Sequence, residues 1–102
     1  VGNGSLYAWG DNNYGQLGLG DNIHRKSVPT QIGSYTDWEM VACGDLHNAG
    51  LRNGSLYAWG YNTYGQLGLG HTNRKTPTQV GSYTDWKMVA CGTNHTLAIK
   101  EV

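Results

Sequence analysis

Apolar residues in this chain fall in short bursts separated by glycine and asparagine. Leu6-Tyr7-Ala8-Trp9 is rich in aromatics and bounded by glycine on both sides. Thr30-Gln31-Ile32, the run from Trp38 to Cys43 and the stretch after His47 have the same character. Bursts of this length with turn formers between them predict β-strands. No segment carries apolar residues at helical spacing over three turns, so the expected class is all-β. About four short strands in every fifty residues is the density of one β-propeller blade.

The bursts recur. Residues 3–20 (NGSLYAWGDNNYGQLGLG) and 53–70 (NGSLYAWGYNTYGQLGLG) agree at 16 of 18 positions, at an offset of 50. Residues 29–47 and 77–95 agree at 15 of 19, at an offset of 48. The two lost residues fall in the loop DNIHRKSV against HTNRKT. A fixed period with length changes confined to one loop indicates stacked structural units. The expected division is a first repeat over 1–52 and a second over 53–102, together one partial propeller.

Composition narrows the function. The 102 residues carry no formal net charge, include 16 glycines and contain no phenylalanine. A neutral chain lacks the basic stripe that nucleic-acid binding requires, so no nucleic-acid partner is expected. No apolar run approaches the roughly 20 residues that span a bilayer, and no signal peptide opens the chain. The expectation is a soluble protein, or a piece of one, with no membrane contact and a cytoplasmic rather than secreted setting.

The run LYAWG-x-N-x-x-GQLG-x-G is followed by a proline, a glycine, a Trp-containing strand, VACG and His-Thr-Leu-Ala-Ile. Together these resemble the repeat of the regulator of chromosome condensation family, twice over nearly the whole chain. The Gly-Gly doublet of kelch repeats and the Trp-Asp signature of WD repeats are absent. The resemblance implies a propeller of four-stranded antiparallel blades, typically seven around a channel. It also implies a binding surface rather than an enzyme. Members include a nucleotide-exchange factor that docks on chromatin, a plant ultraviolet photoreceptor and a bacterial β-lactamase inhibitor. The exchange factor's wedge and basic tail have no counterpart here. Where the photoreceptor carries tryptophan, this chain has Asp45-Leu46 and Thr93-Asn94.

Two blades leave two apolar faces in water, and such faces drive association. In the resembled family the His-Thr-Leu-Ala-Leu strand turns back into the next Leu-Tyr-Ala-Trp strand. That joint is intact between His47 and Trp59. At the ends, Leu6, Tyr7, Ala8 and Trp9 lack a preceding strand, and His95, Thr96, Leu97, Ala98 and Ile99 lack a following one. The expected partner is therefore the chain itself, by head-to-tail strand addition. Three copies give six blades and four give eight, and the eight-bladed ring is the preferred reading. Glu101, Val102, Val1 and Gly2 lengthen the broken joint by four positions. An alternative is a fragment of a longer propeller with a protein partner. A second is a multivalent lectin with an aromatic platform in each blade.

Candidate chemistry is sparse. Cys43 and Cys91 occupy equivalent positions and read as small buried thiols, without a C-x-x-C pattern. His47 and His95 follow them by four residues. Zinc takes four ligands and each repeat offers two, so these histidines read as structural, bonding backbone between strands. Asp37 and Asp85 read as turn caps before a strand. Gly15, Gly18 and Gly20 are followed by no helix and no Lys-Ser/Thr, so they read as a tight loop rather than a phosphate cradle. Asn3, Asn53 and Asn94 begin N-x-S/T sequons, of which the first two are also Asn-Gly hairpin turns. Most aromatics are expected to pack between blades. No catalytic set, metal site or cofactor is expected. The loops that differ between repeats are the candidate ligand contacts. They contain Asp11, Asn13, His24 and Arg25 in one repeat, and Tyr61, Thr63, His71 and Arg74 in the other.

Overall fold

A computed structural model of the chain describes residues 4–20, 23, 25–62, 64–70 and 72–101. It contains eight strands and, among the described residues, no helix. The strands are β1 (Tyr7–Asp11), β2 (Arg25–Gln31), β3 (Trp38–Cys43), β4 (His47–Arg52), β5 (Ser55–Gly60), β6 (Arg74–Gln79), β7 (Trp86–Cys91) and β8 (Thr96–Lys100). β2 and β6 begin earlier than the sequence suggests. Residues 25–28 and 74–76, read above as variable loop, are strand, because cross-strand pairing to Asp11 and Gly60 draws them in. Pro29 and Pro77 sit within these strands, as edge positions allow.

The sheets do not follow the repeats. One four-stranded antiparallel sheet has the order β3-β4-β5-β6, spanning the boundary between residues 52 and 53. The other two are two-stranded, β1-β2 and β7-β8. The described chain is thus one four-stranded sheet flanked by two two-stranded ones. A two-residue hairpin makes the central sheet continuous: Arg52 pairs with Ser55 across Asn53-Gly54. Both turn residues have positive φ, 47° and 82°. This is the geometry that an Asn-Gly turn supplies with least strain.

The central sheet buries both faces. On one face Ala49, Leu51, Leu56 and Ala58 pack with Leu67 and with Val89 of β7. On the other, Trp38 and Trp59 pack with Leu6 and Ile32 from the β1-β2 side. Period-2 alternation assigns these residues to opposite faces. Trp38 and Trp59 meet edge to face, with ring centroids 5.7 Å apart. That arrangement suits the opposed charge of ring edge and ring face.

Candidate functional site

The joints between sheets are the best-defined sites in the molecule. Within the chain, His47 is the hinge pin of one such joint. It is buried, and its Nε2 lies 3.2 Å from the His95 carbonyl and 3.0 Å from Thr96 Oγ1. This links neighbouring sheets rather than strands of one sheet. Gly44 explains the C-G-x-x-H spacing, because a Cβ there would collide with the His47 ring. Burial holds the imidazole below the usual histidine range and keeps it neutral. His95 makes the same fold over Gly92, but its ring is exposed.

Paired side chains from the β3-β4 and β7-β8 hairpins grip the loop of the preceding sheet. Asn48 donates to the Gln16 carbonyl, and its counterpart Thr96 donates to the Gln66 carbonyl at 2.7 Å. The loops themselves are built by Asn12 and Asn62. Their Oδ1 atoms accept the amides of Leu17 and Leu67 at 3.1 and 2.9 Å. Gly15 and Gly18 let the first loop press on the next sheet, with positive φ and near contact to Lys75 and Trp59.

A second clamp sits at the end of β4. Arg52 Nε lies 2.6 Å and Nη2 3.1 Å from the two Asp37 oxygens, while Nη1 lies 2.9 Å from the Tyr57 hydroxyl. Its guanidinium carbon is 3.3 Å from the centroid of the Tyr35 ring. Asp37, read from sequence as a turn cap, is therefore chiefly the counter-ion of Arg52, whose hydrogen bond holds the carboxyl below its ordinary range. Sequence reasoning missed this clamp. Its signal was a Tyr-x-Asp in each repeat with a cation fifteen residues after the Asp, Arg52 and Lys100.

The strands expected to form an oligomer interface lie at the two open edges. β1 is one edge of the two-stranded β1-β2 sheet, and β8 one edge of the two-stranded β7-β8 sheet. Tyr7 and Trp9 are 50% and 59% exposed, and Leu97 and Ile99 are 68% and 56% exposed. Leu6 is buried, Ala8, Thr96 and Ala98 are partly buried, and His95 is exposed. A groove of about 380 Å³ runs beside β1, lined among others by Leu6, Ala8, Leu17, Ile32, Val41 and Trp59. The two edges do not meet within one chain.

The two cysteines are free thiols. Cys91 is half-buried with Sγ 3.5 Å from the Ala42 carbonyl, and burial pushes its thiol up. Cys43 corrects the expectation of a buried thiol. It is exposed because it lines the groove, on the part of the central sheet that β1-β2 leaves uncovered. The aromatics likewise divide. Trp38 and Trp59 are core, whereas Tyr7, Trp9, Tyr14, Tyr35, Tyr64 and Tyr83 are largely exposed.

Among the described loop candidates, Asp11 and Arg25 are cross-strand partners and Asn13 lies against Asp11. Asp11 accepts from Asn13 Nδ2 at 2.7 Å and from Gln16 Nε2 at 2.8 Å. Tyr61 stacks edge to face with Tyr14 and Tyr64. Arg25 and Arg74 begin β2 and β6. His24, Thr63 and His71 lie outside the described residues, as do Val1, Gly2, Asn3 and Val102. Among the described residues no group of three or more His, Cys, Asp or Glu is placed to hold a metal ion. Among the described residues no helix is long and apolar enough to cross a membrane.

Comparison with known proteins agrees with this geometry. The model of the regulator of chromosome condensation (RCC1) repeat matches residues 3–51 and 53–99. Human WBSCR16 superposes with a TM-score of 0.82 at 31% identity, over 97% of this chain and 27% of its own. Prp20p of Saccharomyces cerevisiae, whose structure was reported with its binding to Gsp1p and histones, superposes with a TM-score of 0.85 at 21% identity, over 98% of this chain and 28% of its own. Yeast RCC1 (Prp20) bound to Kap60 gives a TM-score of 0.81 at 23% identity, over 94% and 26%. The chain spans about a quarter of the length of each.

Proposed function

The chain belongs to the regulator of chromosome condensation repeat family, and from that premise we propose that it is a non-enzymatic propeller unit whose first partner is another copy of itself. β8 of one copy adds to β1 of the next, so that β7-β8 and β1-β2 become one four-stranded blade. Repetition closes a ring, with four copies and eight blades as the preferred count.

The groove beside β1 carries this reading. Its lining residues Leu6, Ala8, Leu17 and Val41 have counterparts in Leu56, Ala58, Leu67 and Val89. Those counterparts are buried in one cluster with Ala49 and Leu51 of β4. The residues equivalent to Ala49 and Leu51 are Leu97 and Ile99, both exposed. The chain thus displays a slot and, on its opposite end, the strand that fits it. Trp9 of the next copy then covers the loop at Gly68 of the copy before it, as Trp59 covers Gly18 of the preceding sheet.

Native mass spectrometry tests the proposal. The expected species is four times the 11.1 kDa chain mass. Leu97→Asp should return it to a folded monomer, since a charge in the joint is desolvated without a partner. A folded wild-type monomer at all accessible concentrations overturns the proposal. A second reading draws on the coverage of about a quarter of each related structure: flanking repeats of a longer propeller fill the same slot, and the outer surface binds a protein partner. The related yeast protein Prp20 binds other proteins, which supports that reading.

A further inference from the structure

Resting on the head-to-tail reading above, we infer that Lys100 is the residue that sets the strength of the joint between copies, by donating to the Tyr7 hydroxyl of the neighbouring copy. The inference comes from the internal joint, where every member of the equivalent clamp is present. Arg52 is bound to Asp37, stacked on Tyr35, and hydrogen-bonded to Tyr57 across the β4-β5 pair. Asn53 adds a further bond to Asp37 at 2.7 Å.

At the C-terminal end the cation, its carboxylate and the stacked tyrosine recur, and the tyrosine hydroxyl is missing. Lys100 Nζ lies 3.1 Å from Asp85 Oδ2 and 4.5 Å from the Tyr83 ring centroid. The residue equivalent to Tyr57 is Tyr7, at the other end of the chain and half exposed. Asp85 Oδ1 is buried with no hydrogen-bond partner among the described residues. So the clamp is incomplete within one chain, and strand addition at β1 delivers the missing hydroxyl.

The two joints differ in chemistry. Arginine presents a planar fork that serves both carboxylate oxygens and the tyrosine at once. Lysine has three donors on one point charge. It reaches one Asp85 oxygen, with the Glu101 carbonyl at 3.4 Å as a weak second acceptor. Every joint inside a copy is therefore the arginine type, and every joint between copies the lysine type. The ring opens at its lysine joints first, and a single substitution should convert the weak joint to the strong one.

The experiment measures the concentration of half-dissociation for the wild type, Lys100→Arg, Tyr7→Phe and the double variant. Lys100→Arg is expected to lower that concentration about fivefold or more, and Tyr7→Phe to raise it. In the Tyr7→Phe background the gain from Lys100→Arg should shrink, because the coupled pair is broken. A wild type that assembles, with single effects that are absent or simply additive, overturns this inference and leaves the assembly reading standing. A wild type that never assembles overturns both.

Discussion

The central sheet and the two flanking half-sheets are written in nearly the same residues, yet they occupy different environments. Trp59 is 1% exposed and Trp9 59%. The contrast also runs the other way: Val89 of the flanking β7 is 2% exposed and Val41 of the central β3 46%. Local sequence cannot account for these pairs, because NGSLYAWG contains both tryptophans and MVACG both valines without change. The difference lies in what each face meets: Trp59 packs with Trp38, Leu6 and Ile32, and Val89 packs on Ala49, Leu51, Leu56 and Ala58 of the central sheet. β5 has β4 and β6 as neighbours, whereas β1 has β2 alone. A propeller repeat encodes both faces of its sheet for contact, and each face is satisfied only where a neighbour is supplied.

The strongest way to break that comparison is at the paired tryptophans. Trp59→Ala should cost about 3–5 kcal/mol of folding stability, the range for removing a buried aromatic. Trp9→Ala should leave the single chain almost unchanged, measured by urea unfolding in the Leu97→Asp background where copies cannot join. In the otherwise wild-type chain Trp9→Ala should instead lower the assembled fraction. Equal losses from both substitutions in the monomeric background would mean that Trp9 is already packed.

A somewhat smaller contrast is expected one strand over. Leu51 is 3% exposed and sits in the core cluster, so Leu51→Ala should cost about 2–5 kcal/mol. Its counterpart Ile99 is exposed, and Ile99→Ala should stay within about 0.5 kcal/mol in the monomer. The same unfolding assay reads both.

The smallest effect sharpens the comparison through pH. Burial depresses the pKa of His47 in the folded chain, so the unfolded chain binds the proton more tightly. Its contribution is fully present above the unfolded value of about 6.5 and is lost as pH falls below it through the folded pKa. The unfolding midpoint should therefore decline between neutral pH and pH 5, and His47→Gln should flatten that slope. A slope that survives His47→Gln would assign it to another group.

Much of the strand pattern is legible in sequence because the punctuation is strong. Gly10 and Gly60 take positive φ at equivalent bulges, and Asn53-Gly54 forms the hairpin read from the sequence. The bounds of β2 and β6 were not legible. Arg25-Lys26-Ser27 and Arg74-Lys75-Thr76 have no apolar burst, and become strand only because β1 and β5 offer partners. The clamp at Arg52 was equally hidden, since its members come from residues 35, 37, 52 and 57 and meet only after the hairpins stack.

By itself the sequence determined the all-β class, the repeat and the Asn53-Gly54 hairpin turn. These depend on local propensity and on turn residues whose backbone requirements are short-range. The tertiary structure decided where the blade begins and ends, and it put the sheet out of phase with the repeat. It also decided which of two identical side chains is core and which is surface. Burial and pairing are properties of neighbours in space, and a strand does not carry its neighbours in its own residues.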